Sequence, residues 1–208
     1  MNDTLLIAGF HTTPLELLSF VLSIATVLLN IRRNHWAWLF AIVSSAMYGI
    51  VFFGARLYGD AGLQLVFIVA SVWGWYQWLH GPGKDAAAVA VAPSAPLVVT
   101  RLDRMGWIAS LAGWALGFAL LALFLDWFTD TDVPYIDGFL TAGSLLGTLL
   151  TARKKVENWH TWIVVDLIYV GLYIHKNLYL TALLYALFVV LAVLGLRTWD
   201  RAARKGAA

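Results

Sequence analysis

The chain has 208 residues, 61% of them hydrophobic and only 12% charged, with a formal net charge of +2. A soluble domain carries about 45–50% apolar and about 25% charged residues, so this balance excludes an ordinary water-soluble globule and points to repeated membrane crossing. The absence of cysteine excludes disulfides, thiolate metal sites and thiol nucleophiles together.

No basic stretch precedes the first apolar residues, so no cleaved signal peptide is expected, and the patch from Leu5 to Phe10 is too short to span. Thr13-Pro14-Leu15-Glu16 has the form of a capping box with Pro at the first helical position. It opens a first span over residues 15–31, closed by Arg32-Arg33-Asn34. A second span covers 35–53, and Tyr58-Gly59-Asp60 reads as a tight connection to a third over 61–79. Residues 85–100 form an Ala/Val/Pro tract; Pro93 and Pro96 argue for a linker rather than a helix. A fourth span covers 107–125, and the loop after it carries Asp126, Asp130, Asp132 and Asp137 without a basic residue. The fifth, short span covers 139–151, the sixth 159–174 and the seventh 178–196, ahead of a basic tail with Arg201, Arg204 and Lys205.

Seven spans with the N-terminus outside place Arg32, Arg33, Lys84, Arg101, Arg104, Arg153, Lys154, Lys155, Arg197, Arg201, Arg204 and Lys205 inside. Only Arg56 and Lys176 are left outside, with the four-Asp loop, as the positive-inside rule requires. A helix over 86–99 would scramble that asymmetry.

The sixth span holds the chemistry. Asp166 is the one acidic residue in the middle of a long apolar run. A carboxylate at that depth costs about 2.5–3.5 kcal/mol on insertion scales, so it needs a partner, a cavity or a purpose. Trp159, Trp162, Asp166 and Tyr169 follow at i, i+3, i+7 and i+10, which stacks them on one helical face. That face reads as the wall of a binding site. Trp159 alone suits an interfacial belt equally well, and Asp166 could also serve as a polar tie between two helices.

An internal repeat runs through the chain. A shift of 121 positions aligns Trp38–Trp78 with Trp159–Trp199 without a gap and pairs Trp38 with Trp159, Tyr48 with Tyr169, Gly74 with Gly195 and Trp78 with Trp199. The fourth span reverses the chain, so the two three-span repeats run parallel, an arrangement that places a site between the halves near the midplane. The expected fold is therefore an all-α membrane protein of seven transmembrane helices, two parallel three-helix repeats joined by a linker helix (3+1+3), N-out and C-in. Residues 1–83 hold the leader and first repeat, 84–137 the cytoplasmic linker, linker helix and acidic outer loop, 138–200 the second repeat, and 201–208 a cytoplasmic tail. Trp38, Ala41, Ser45 and Tyr48 on the second span are the plainer counterparts of Trp159, Trp162, Asp166 and Tyr169, and Trp38, Ser45 and Tyr48, with Thr181 on the seventh span, are further candidate substrate-binding residues.

Three segments, Gly74 to Gly81, Asn158 to Asp166 and Asn177 to Tyr185, resemble signatures of the PnuC family of bacterial vitamin transporters. The resemblance covers nearly the whole chain from the first span to Trp199. It implies a SWEET-like fold in the bacterial cytoplasmic (inner) membrane, a homotrimer, and facilitated diffusion of a B vitamin, usually nicotinamide riboside. It also implies trapping of the vitamin by later phosphorylation in the cytoplasm. On the matching positions it makes Trp159, Trp162 and Asp166 substrate contacts, joined by Asn158 of the same signature, Tyr185 and Gln64. Related members carry thiamine or riboflavin, so the vitamin stays open.

Nicotinamide riboside is a permanent aromatic cation, which indole faces attract by about 0.5–2 kcal/mol each as desolvation increases. Asp166 could accept from a ribose diol, balance the ring charge, or do both, and Gln64 could pair with a carboxamide. Thr181, Tyr185 and Phe188 share a face of the seventh span; Gln64, Phe67 and Ser71 share one of the third. A phosphorylated nucleotide would want Arg or Lys at depth, and every basic residue lies in a loop or at a helix end, so the expected cargo is unphosphorylated. Other classes fare worse. No P-loop motif occurs, the last span has no lysine for a retinal Schiff base, and Asp166 has no acidic partner at depth for a hydrolytic dyad. The histidines His11, His35, His80, His160 and His175 sit at segment ends, so no metal or other cofactor is expected, and nucleic acid is not an expected partner. A proton-coupled carrier remains an alternative, because one acid can titrate.

Overall fold

The computed structural model describes residues 5–7, 10–12, 14–54, 58–80, 98–129, 131–176 and 179–206. Most of the Ala/Pro tract, together with Thr13, Arg56, Asp130 and Asn177, lies outside them. A short hairpin precedes the helices. Leu5–Ile7 (β1) and Phe10–Thr12 (β2) pair as an antiparallel hairpin, with Leu5 opposite Thr12. The apolar patch thus satisfies its backbone within a short ladder.

Seven helices follow among the described residues: α1 (Pro14–Ile31), α2 (Ala37–Gly54), α3 (Tyr58–His80), α4 (Arg104–Phe128), α5 (Pro134–Ala152), α6 (Asn158–His175) and α7 (Tyr179–Gly206). Tyr58, Gly59 and Asp60, expected as a connection, form the first turn of α3. Turn-forming residues are compatible with a first turn, where N–H groups lack intrahelical partners and an acidic residue is favourable. Asp103 caps α4 by accepting from the Gly106 N–H at 2.7 Å. The fifth span begins five residues earlier than expected because Pro134, with φ fixed and no N–H to lose, starts α5. The basic tail is no separate element: α7 runs through it, and Arg204 donates to Asp200 one turn back at 3.0 Å.

Six helices close a ring in which α1 meets α2 and α7, α2 meets α3, α3 meets α5, α5 meets α6, and α6 meets α7. α4 packs on α5 and shows Met105, Ile108, Leu111, Leu116, Leu120 and Phe128 outward. Such a continuous apolar exterior is what a bilayer, not water, would solvate. α4 and residues 181–205 of α7 are long and apolar enough to cross a membrane.

The ends of the ring repeat in detail at the 121-residue interval. Arg33 and Lys154 both take left-handed backbone, φ 56° and 59°, just past α1 and α5. Asn34 N–H donates to the Leu29 carbonyl and Lys155 N–H to the Leu150 carbonyl, each at 2.9 Å. Trp38 meets Trp78 edge-on at 5.5 Å and 89°, and Trp159 meets Trp199 at 5.5 Å and 88°. The Trp78 indole donates to the Thr151 carbonyl across the α3–α5 seam at 2.9 Å, and the Trp199 indole to the Asn30 carbonyl across the α7–α1 seam at 3.1 Å. Each edge-to-face pair contributes about 0.5–1.5 kcal/mol beyond its packing. These four indoles form one buried cluster with Val99, Ala152, Val156 and Ala192.

Val99 is held there by a strap. Thr100 bridges Lys155, the Leu102 N–H donates to the buried Glu157 carboxylate at 3.0 Å, and Arg101 pairs with Asp200. This end of the ring is basic. At the other end the Lys176 ammonium donates to Asp132 at 3.0 Å; the Asp132 carboxyl lies below the usual carboxylate range, chiefly through that hydrogen bond, then through one from its own backbone N–H and through the Lys176 charge. A depressed carboxyl stabilises the fold above its unfolded pKa and loses that contribution as pH falls through the folded value. Lys176→Met is expected to move the Asp132 titration, followed by carboxyl carbon NMR, upward toward the ordinary range; an unmoved midpoint would refute the tie.

Candidate functional site

A cavity of about 380 Å³ lies inside the ring and draws lining side chains from all six of its helices and none from α4. α6 supplies Asn158, Trp159, Trp162, Asp166 and Tyr169. From Trp159 to Tyr169 the helix rises about 15 Å, so one face carries the wall from the basic end toward mid-depth. Trp38 and Ser45 come from α2, Gln64 and Phe67 from α3, Tyr185 and Phe188 from α7. The helical spacing that selected the α6 face thus delivers it to the cavity.

Two expected residues do not border the cavity. Tyr48 lies three residues beyond Ser45 toward the acidic end and is 36% exposed, while Thr181 lies a full turn beyond Tyr185 in the same direction. The cavity stops short of both. Sequence reasoning missed Ser23, Thr26, Val27 and Asn30 on α1, Ser144, Thr148 and Thr151 on α5, and Ser44 and Ala192 on α2 and α7. The signal was present, because the 121-residue register continues backward through Ser23/Ser144, Val27/Thr148, Asn30/Thr151 and Arg32/Arg153. Nine such register pairs line the cavity, Ser45/Asp166, Ala41/Trp162 and Gln64/Tyr185 among them, so its wall is drawn from both sides of the register.

The wall is graded. Toward the acidic end stands an aromatic group in which Tyr169 and Tyr185 lie 4.5 Å apart, Tyr173 and Tyr185 5.2 Å, and Tyr185 meets Phe188 edge-on at 5.6 Å. Toward the basic end Trp38 and Trp159 are buried against the glycines of α3 and α7: a Cβ on Gly74 would stand 2.5 Å from the Trp38 ring, and one on Gly195 2.6 Å from Trp159. Only glycine at 74 and 195 lets both indoles lie flat against the neighbouring backbone.

The polar groups are unevenly satisfied. Thr26, Ser144, Thr148 and Thr151 donate their hydroxyls to carbonyls one turn back at 2.8–2.9 Å, leaving acceptor lone pairs toward the cavity. The Asn158 amide donates to the Lys155 carbonyl at 2.6 Å. Its Oδ1, the Asn30 Oδ1 and the indole N–H groups of Trp38 and Trp159 are buried without a partner among the described residues. Asp166 is 6% exposed, and no salt bridge reaches it among the described residues. Among the described residues no Lys, Arg or His lines the cavity. Among the described residues the site is therefore rich in acceptors and aromatic faces, with one carboxylate and no cationic side chain.

A family model described as Nicotinamide mononucleotide transporter matches residues 13–201. The riboflavin/roseoflavin transporter RibM of Streptomyces davaonensis is 30% identical over 192 residues, covering 91% of this chain and 85% of that protein. The nicotinamide riboside transporter PnuC of Escherichia coli is 24% identical over 213 residues, covering 95% and 89%. A crystal structure of a vitamin B3 transporter PnuC shares the fold, with a TM-score of 0.70 at 21% identity over 92% of this chain and 82% of the other. With a family match over nearly its full length and a relative at 30% identity, the chain belongs to the nicotinamide mononucleotide transporter family, a membrane transporter and not an enzyme.

Proposed function

We propose that the chain carries nicotinamide riboside by facilitated diffusion, with the vitamin held between two parallel three-helix repeats that rock about it. The observation that carries this reading is Asp166: a buried carboxylate without a cationic partner among the described residues, in a cavity walled by indoles and phenols. A pyridinium riboside brings the missing positive charge, a planar ring for Trp162 and Trp159, and hydroxyls for the acceptor-rich wall. The absence of Lys, Arg and His from the lining argues against a phosphate, so the cargo is the unphosphorylated riboside despite the nucleotide in the family's description. The volume falls within the range of about 300–1,000 Å³ usual for small-molecule sites.

The paired Trp–Trp contacts, cap geometries and seam hydrogen bonds support two repeats with the site at their junction. Seven spans, N-out and C-in, fit the basic end formed by the α1–α2 and α5–α6 turns and α7. A homotrimer in the bacterial inner membrane, and trapping by phosphorylation once the vitamin is inside, complete the reading. Riboflavin is the second reading, favoured by the 30% identity to a riboflavin/roseoflavin transporter; thiamine shares the aromatic cation. Counterflow in vesicles tests the mechanism. Internal unlabelled nicotinamide riboside is expected to drive entry of label at the same rate with and without a proton gradient. Entry that requires the gradient and disappears in Asp166→Asn would establish a proton-coupled carrier instead.

A further inference from the structure

Ser144, Thr148 and Thr151 turn one stripe of α5 to the cavity, and Gly147 stands on the same stripe without bordering it. The indole of Trp162 covers it. A Cβ added at Gly147 would lie 2.8 Å from Trp162 Cε2 and 3.1 Å from both Cζ2 and Nε1. Aromatic and methyl carbons rest at about 3.5–4.0 Å, so the ring would have to withdraw by roughly 0.5–1 Å. It is a rigid plane seated on α5, and its open side is the cavity. The register counterparts invert this arrangement: Thr26 stands for Gly147 and Ala41 for Trp162, and both border the cavity. One wall carries its bulk on the α6 side of the contact, the other on the α1 side.

We propose that Gly147 is a positioning residue which, by letting Trp162 sink against α5, sets the width of the cavity and hence the size of ring system it admits, with Thr26 and Ala41 setting the opposite wall. This rests on the transporter reading only in requiring a planar ligand beside Trp162. A methyl group at 147 narrows the site from behind, without touching the ligand, and costs a fused tricyclic ring more than a single pyridinium.

Because the chain has no cysteine, Ser45→Cys gives a unique thiol on the cavity wall. Its labelling by a small and a bulky methanethiosulfonate measures width with no vitamin present. Gly147→Ala is expected to slow the bulky reagent about tenfold relative to the small one, and Trp162→Phe added to it to restore the ratio. Trp162→Phe alone, which adds no atom to α5, is expected to raise the bulky rate. An unchanged ratio in Gly147→Ala, or a bulky rate not raised by Trp162→Phe, overturns the proposal. In parallel, the ratio of riboflavin to nicotinamide riboside affinity is expected to fall about tenfold in Gly147→Ala. A parent protein that binds neither vitamin defeats the substrate reading, while the labelling ratio still decides the question of width.

Discussion

Asp166→Asn is expected to weaken nicotinamide riboside binding by roughly ten- to a hundredfold while raising the melting temperature of the unliganded protein. The two signs have one cause. The carboxylate is buried, and no salt bridge offsets it among the described residues, so neutralising it removes a desolvation cost from the empty protein. With ligand bound, the same charge faces a pyridinium or accepts from hydroxyls, contacts worth about 1.5–3 kcal/mol when one partner is ionised. A neutral isoalloxazine gains only the hydrogen-bonding share, so riboflavin binding should fall less. Isothermal titration and a thermal melt on the same preparation check both signs. A lower melting temperature would mean that Asp166 ties helices together and its site role is secondary.

Gly195→Ala and Gly74→Ala are expected to destabilise the protein by roughly 1–3 kcal/mol each, by the same amount within error. In both, the new Cβ meets an indole at about 2.5–2.6 Å, with three ring atoms involved and helix backbone behind. Trp159 and Trp38 cannot retreat, because each is also pinned edge-on by Trp199 or Trp78. Gly171→Ala, where a Cβ would meet nothing within 4 Å, is expected to be neutral or slightly stabilising. Adding Trp159→Leu to Gly195→Ala should give a loss smaller than the sum of the two, since the second change removes the ring the first collides with. Additive losses would show that the clash is not the cause.

Helical spacing carried the sequence reading far on α6, because a face defined by i, i+3, i+7 and i+10 must point one way wherever the helix goes. It could not say where the cavity ends, and so kept Tyr48 and Thr181, which lie beyond it. The α1 and α5 contributions were legible only through the repeat. Ser, Thr and Asn in apolar helices look like small residues smoothing a helix contact until their register partners are set beside them. Gly147 was invisible for a different reason: nothing in a sequence says which ring will lie over a glycine. The strap at Val99 was equally hidden, since pairing Thr100 with Lys155 and Arg101 with Asp200 depends on contacts 55 and 99 positions apart.

The proposed function requires that the cavity grip an aromatic vitamin through Trp162 and Asp166. Titration of the purified protein with nicotinamide riboside, riboflavin and thiamine, followed by heat, tests it most directly. Saturable binding of nicotinamide riboside, weakened about tenfold or more by Trp162→Ala and by Asp166→Asn, is the predicted result. No binding of any of the three, or an affinity unchanged in both variants, would contradict it.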